Sequence, residues 1–348
     1  MAHEKFMQRC FQLAISGAGN VAPNPMVGAV LVHNDTIIGE GYHQYYGGPH
    51  AEVNCINSVL PQNRTLIKQS TLYVSLEPCA HYGKTPPCAD LIIEHHIPEV
   101  IIGCRDSYAE VAGKGIEKLK GAGISVTVGV LENEARALNK RFFCYHEKKR
   151  PYIILKWAQT ADGFIANTDR SRLLISNNST NRQVHRWRSE EAAIMVGTYT
   201  AMYDNPSLTV RLVPGNNPLR IVIDNDLKLP ASLHLFNQQV KTIVFNTIKE
   251  DASGNLQYIK TSGRHDLHSI LDTLYQMRVQ SLLVEGGAGL LQSFISNNFW
   301  DEARVITNNT LQAGEGIAAP VLQGEMFLHS EKILTDTIQY FQNVNAAN

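Results

Sequence analysis

Four residues in the first third of the chain have the types and spacing of a metal-centred hydrolytic site. His50 and Glu52 stand two apart in GGPHAEVNC (47–55), and Cys79 and Cys88 flank the loop of SLEPCAHYGKTPPCAD (75–90). A catalytic zinc site takes three protein ligands from Cys and His and keeps a fourth position for water. His50, Cys79 and Cys88 meet that requirement, and two thiolates with one imidazole favour zinc over harder divalent ions. Pro86 and Pro87 mark a helix start. Cys88 then falls at a helix N-terminus, where free N–H groups and the dipole stabilise a thiolate. Bound zinc lowers the pKa of its water toward ~7. Glu52 is the group left to take the proton from that water and pass it to a ring nitrogen and a departing amine. Two plainer readings stand beside this one. The residues are unrelated core side chains, or a structural zinc takes His81 or Cys55 as its fourth ligand and leaves Glu52 without a role.

Zinc enzymes that deaminate bases carry H-x-E followed by P-C-x-x-C. This chain has His50-Ala51-Glu52 and Pro78-Cys79, but eight residues, not two, separate the cysteines. The longer loop, AHYGKTPP, brings His81 and Lys84 within reach of a substrate. In the second half the signals are weaker. LLVEGGAGLL (282–291) reads as strand, glycines and helix, a place where backbone and helix N-terminus can approach a phosphate. It is not a G-x-G-x-x-G fingerprint, and a tight strand-to-helix turn explains it equally well. In MVGTYTAMYDNPSLTVR (195–211) a strand ends at Gly197, hydroxyls follow at Thr198 and Thr200, and Asp204 and Arg211 flank an Asn-Pro turn.

The elements that must position these residues alternate. Strands are predicted at 27–32 and 36–43, joined by Asn34-Asp35, then at 71–76, 99–104 and 123–129. Helices are predicted at 4–15, after His50, from Cys88 and over 132–146. HEKKRP (146–151) reads as a linker, and the pattern then restarts with strands at 151–159, 192–197, 219–224, 241–246, 281–286 and 302–307 and helices at 179–192 and 289–299. The 348 residues therefore divide into two α/β domains, 1–146 and 147–348. A formal net charge of −1 gives no field for nucleic acid or an anionic membrane. No apolar run reaches the roughly 18 residues of a membrane span. The N-terminus lacks a signal-peptide pattern, and six cysteines in so long a chain are not a disulfide framework, so the expected location is cytoplasmic.

NPMVGAVLV, GEGYH, PHAEV, SLEPCAHYGKTPPCADLI and VAGKGIEKLKGAGI together resemble the bifunctional riboflavin-biosynthesis deaminase/reductases, over residues 4–146 almost without a break. The resemblance implies two three-layer α/β/α domains, the first cytidine-deaminase-like and the second dihydrofolate-reductase-like. It implies hydrolytic deamination of 2,5-diamino-6-(5-phosphoribosylamino)pyrimidin-4(3H)-one, then NADPH-dependent reduction of the ribosyl group to ribityl. Carried over, His50, Cys79 and Cys88 hold zinc and Glu52 moves protons. Asn24 and His43 contact the pyrimidine side, and His81 and Lys84 face the ribose phosphate. In the second domain ILKWAQTADGFIA (154–166), VGTYTAMYDNPSLTVR and VEGG match family elements. Lys156, Asp204 and Glu285 are then expected at the reaction site. Ala158, Gly197, Thr198, Thr200, Gly286 and Gly287 are expected along NADPH, and Ser176, Arg188, Leu208 and Arg211 at the substrate, the two arginines at its phosphate. The family's Ser-Leu-Asp-Gly is Thr160-Ala161-Asp162-Gly163 here, and its Trp-Ile-Thr-Ser is Leu174-Ile175-Ser176-Asn177. These departures leave a second reading, an active deaminase whose C-terminal domain is an inactive binding or assembly module. A third, deamination of a free nucleoside or tRNA base, is disfavoured by the cysteine spacing and the attached domain. The partner expected is a small pyrimidine ribotide, with no nucleic acid and no membrane, and the resemblance implies a homo-oligomer.

Overall fold

The computed structural model describes residues 2–346 apart from 83–85, 109–111, 172 and 265. The chain divides into two compact units, Met1–Lys149 and Arg150–Asn348. The division expected after residue 146 falls inside a helix that runs on to Lys148 and stops at left-handed Lys149 (φ 56°).

The first unit runs α1 (Ala2–Ile15), β1 (Gly28–His33), β2 (Thr36–Tyr42), α2 (Ala51–Asn57), β3 (Thr71–Leu76), α3 (Cys88–Glu94), β4 (Glu99–Cys104), α4 (Lys114–Gly121), β5 (Ser125–Val128), α5 (Glu132–Leu138) and α6 (Lys140–Lys148). Its sheet has the order β2-β1-β3-β4-β5, antiparallel around β1 and parallel from β3 onward. Asn34 and Asp35 (φ 46° and 55°) supply the left-handed pair that a tight hairpin turn needs. Side chains alternate between the faces with period two. Val30, Val32, Tyr73 and Ile101 meet Phe6, Met7 and Cys10 of α1 on one face. Ala29, Leu31, Leu72, Val74, Val100 and Ile102 meet α2, α3 and α4 on the other. The result is three layers. Gly41 lets α2 lie down on β2, since a Cβ there would stand 2.2 Å from the Cys55 nitrogen. The single helix predicted over 132–146 is broken at Asn139. Its side chain accepts from the Met26 N–H and donates to the Met26 carbonyl, both at 2.8 Å, and so pins the break to the loop before β1.

The second unit adds β6 (Tyr152–Thr160), β7 (Phe164–Ala166), α7 (Asn178–Glu190), β8 (Ala193–Gly197), α8 (Thr198–Asp204), β9 (Leu219–Ile223), β10 (Thr242–Asn246), β11 (Asp251–Ser253), β12 (Leu256–Lys260), α9 (Leu267–Gln276), β13 (Ser281–Glu285), α10 (Ala288–Ser296), β14 (Glu302–Asn308), β15 (Ile317–Ala318), β16 (Glu325–Ile333) and β17 (Asp336–Asn343). Ten strands form one sheet in the order β11-β12-β10-β9-β8-β13-β6-β14-β17-β16. From β12 to β14 every pairing is parallel. Ile153, Leu155, Leu282 and Val284 pack with α9 and α10 on one face. On the opposite face α7 sets Trp187 against Tyr340 and the Arg304 guanidinium. Parallel strands put their carboxyl ends on one edge, the place where open α/β sheets bind ligands. Gly197, Ile223, Glu285 and Asn308 end their strands there.

Candidate active sites

In the first unit three elements bring the predicted ligands together. His50 is the residue before α2, Cys88 opens α3, and Cys79 lies in the loop after β3. Their ligand atoms all lie within 4.8 Å of one another. His50 Nδ1 stands 3.6 Å from the Cys79 sulfur and 3.3 Å from the Cys88 sulfur. Ligands at the zinc–sulfur and zinc–nitrogen bond lengths in a tetrahedron are about 3.6 Å apart, so the donor set and its spacing fit a zinc ion. The Cys88 N–H donates to the Cys79 sulfur at 3.3 Å. The Cys88 thiol, His50 and that N–H together pull the Cys79 thiol down to about 4.

Glu52, on the first turn of α2, is buried, and burial holds its carboxyl above the usual carboxylate range. Asn24 Nδ2 and His43 Nε2 are 3.1 Å apart, and His43 Nδ1 is 2.9 Å from the Pro49 carbonyl. Burial lowers the pKa of His43, which fits a neutral ring donating from Nδ1 to Pro49 and accepting from Asn24. The His43 ring stands edge-on to His50 at 5.4 Å, so the Asn24–His43 pair borders the metal ligands. His81 Nδ1 is buried with no hydrogen-bond partner among the described residues. Lys84 lies outside the described residues.

Two carboxylates were not singled out from sequence. Glu77, buried beside Pro78 and Cys79, accepts backbone N–H groups from Asp106, Gly113, Gly115 and Ile116 at 3.1–3.3 Å. It ties the loop after β4 to the loop that carries Cys79. Asp106 accepts the Tyr108 N–H at 2.7 Å, and burial raises its carboxyl to about 7. The only signal for Glu77 was its place within L-E-P-C.

In the second unit the ladder sets Glu285 opposite Lys156, with Nζ and Oε2 3.8 Å apart. Arg188, in the last turn of α7, donates from Nε and Nη2 to the two Glu285 oxygens at 2.8 and 2.7 Å. Burial pushes the Glu285 carboxyl up, but Arg188 and Lys156 outweigh it and hold it at about 2. The fork of Arg188 is therefore committed to a carboxylate, which changes its expected part as a phosphate partner. Arg211 is exposed, and its Nη1 donates to Thr209 Oγ1 at 2.8 Å. Leu208, expected at the substrate, is 2% exposed with left-handed backbone (φ 52°), so its side chain packs inward. Asp204 ends α8, and Ser176 immediately precedes Asn177, whose side chain caps α7.

The expected cofactor residues line the carboxyl edge of the sheet. The Thr198 hydroxyl donates to the Ile223 carbonyl at 2.7 Å and ties β8 to β9. Gly286 and Gly287 are left-handed (φ 98° and 77°), and a Cβ on Gly287 would stand 3.1 Å from Thr200 Oγ1. This glycine turn opens α10, where free N–H groups suit the anionic backbone of a dinucleotide. Ala158 sits on β6 opposite Ile306.

Comparison with known proteins finds relatives along both units. Residues 1–104 match the cytidine and deoxycytidylate deaminase zinc-binding region, and residues 151–338 match the RibD C-terminal domain. The riboflavin biosynthesis protein RibD of Aquifex aeolicus is 40% identical over 322 residues, covering 90% of this chain and 89% of that protein. The Escherichia coli RibD is 34% identical, covering 87% and 86%. Among solved structures, the diaminohydroxyphosphoribosylaminopyrimidine deaminase/5-amino-6-(5-phosphoribosylamino)uracil reductase of Thermotoga maritima superposes with a TM-score of 0.91 at 36% identity, covering 98% of this chain and 99% of that one.

Proposed function

The chain belongs to the RibD family of bifunctional riboflavin-biosynthesis deaminase/reductases, and from that premise we propose how its own residues divide the two reactions. The observation that carries the reading is the convergence of His50, Cys79 and Cys88 with Glu52 buried on the same helix turn.

His50, Cys79 and Cys88 would hold a zinc ion, which when bound would supply a water of lowered pKa and an electrophilic centre. Glu52 takes the proton of the attacking water, delivers it to the pyrimidine ring nitrogen, and protonates the amine that leaves as ammonia. Its raised affinity for a proton, caused by burial, suits a group that must hold one between transfers. Asn24, fixed by His43, keeps its amide oxygen for the ring edge. His81, with its buried Nδ1 unpaired, turns toward the ribotide, and Lys84 is assigned to the phosphate by resemblance.

NADPH, when bound, would supply the hydride for the ribose-derived C1′ carbon. Gly197, at the end of β8, and the positive-φ turn Gly286-Gly287, packed closely against Thr200, are assigned to it along the sheet edge. Lys156 lies beside Glu285, where the sugar ring must open, and Arg188 keeps Glu285 ionised and fixed. Arg211 meets the substrate phosphate, and Asp204 closes the site from the end of α8.

The presence of both domains, with Lys156, Glu285 and the glycine turn in place, favours the bifunctional reading over a deaminase with an inactive module. The two roles divide at the linker, and the protein works as a cytoplasmic homo-oligomer. None of the six cysteines is joined in a disulfide. No helix among the described residues is long and apolar enough to cross a membrane.

The test is a two-signal assay on metal-quantified protein given the diaminopyrimidine ribotide. Ammonia release and NADPH oxidation on the deaminated product together support the reading. Ammonia alone supports the inactive-module alternative, and neither signal from folded, zinc-loaded protein sinks the substrate assignment.

A further inference from the structure

His185 is a buried imidazole in the second unit that no step above uses. It lies on α7 three residues before Arg188, hence on the same helical face, and is 5% exposed. Its Nδ1 accepts the backbone N–H of Arg211 at 3.0 Å. Burial, with Arg188, Arg211 and Lys156 around it, pushes the imidazole down to about 4 against the opposing charge of Glu285. The ring is therefore neutral near pH 7, and an Nδ1 that accepts leaves its proton on Nε2.

The chain before Arg211 is fixed at other points by groups that carry no such relation to the site. Arg220 donates to the Ser207 carbonyl at 3.3 Å, Asn217 Oδ1 accepts the Val210 N–H at 2.7 Å, and Leu208 turns the backbone through a left-handed conformation. At Arg211 the anchor comes instead from the helix whose Arg188 holds Glu285. One helix face thus grips both the carboxylate beside Lys156 and the backbone of the exposed arginine.

We propose that His185 is a positioning residue for the reductase substrate: by accepting the Arg211 amide it fixes the distance between the phosphate-binding guanidinium and the Lys156–Glu285 pair. The proposal rests on the reading that Arg211 meets the phosphate. Its effect belongs to recognition of the phosphate end and leaves hydride transfer from correctly bound substrate unchanged.

The experiment compares His185→Asn with His185→Gln in the full chain. The Asn amide oxygen, like Nδ1, is attached to Cγ and keeps an acceptor for the Arg211 N–H. The Gln oxygen lies one bond further out and does not. Steady-state reduction is measured with the deaminated ribotide and with its dephosphorylated form, alongside NADPH affinity by fluorescence. His185→Gln should raise KM for the phosphorylated substrate about tenfold, the scale of one hydrogen bond to a charged group's support. It should leave kcat, KM for the dephosphorylated form and NADPH affinity near those of the unaltered protein, and His185→Asn should restore KM. Equal behaviour of the two variants, or a KM rise shared by both substrates, overturns the proposal. Arg211→Gln separates the levels. If it leaves the preference for phosphate intact, the Arg211 reading fails. If it abolishes that preference while His185→Gln does not, only the His185 proposal fails.

Discussion

Glu52 and Glu285 are both buried carboxylates, and their surroundings send them in opposite directions. Glu52 faces burial with His50 and the Cys88 thiol as its modest counterweights, so its proton affinity rises. Glutamine in its place keeps the size but not the proton. Glu52→Gln should bind one zinc per chain by elemental analysis and lose about 10²–10⁴-fold in ammonia release; loss of zinc would recast Glu52 as a ligand. Glu285 sits in the fork of Arg188 beside Lys156, and its carboxyl stays at about 2 against an ordinary 4.5. The unfolded chain takes up that proton first. The stabilisation is therefore complete above about pH 4.5 and is lost as pH falls toward 2. Glu285→Gln should destabilise the second unit by about 3 kcal/mol, the low end for a broken buried pair, since it strands two partly buried cations. Thermal melts at pH 7 measure that loss, and melts below pH 3 should show the gap to the unaltered chain narrowing.

Elements carry these residues, and two close contacts decide whether they arrive. Gly41 admits α2 to the sheet, and α2 brings both His50 and Glu52. Gly41→Ala must displace the helix, so ammonia release should fall at least tenfold while NADPH oxidation on deaminated product is unchanged. Glu77 gathers four amides, two from the loop after β4 and two from the first turn of α4, and Glu77→Gln turns an amide NH₂ toward some of them. At about 1–3 kcal/mol for each unsatisfied group, chemical denaturation should show the first unit weakened with its zinc content intact. Strands β3 and β4 were legible to the residue, because strands buried on both faces are short continuous apolar runs. Strand β16 was not, because nearly every residue in it is exposed and no alternation marks it. The metal ligands were legible because chemistry restricts their types. The commitment of Arg188 to Glu285 was not, because it depends on a pairing between α7 and β13 that spans 97 positions in sequence. His185 carried a faint signal, its three-residue spacing from Arg188.

At the scale of the whole molecule, the two chemistries rest on separate compact units and separate cofactors. A chelator that strips zinc should abolish ammonia release and leave NADPH oxidation on deaminated product within about twofold, because no predicted reductase residue is a metal ligand. Parallel loss of both signals would mean that the units depend on each other. The order of strands in the larger sheet has a consequence for how the protein is made. Strand β6 opens the second unit, yet its two neighbours are residues 281–285 and 302–308. A growing chain leaving the ribosome has already completed every strand of the first sheet by then, so that unit can close during synthesis. Strand β6 must wait, apolar on both faces and unpaired on both edges, until almost the whole polypeptide exists. The reductase half is thus the slower to mature and the one most exposed to aggregation and chaperone capture.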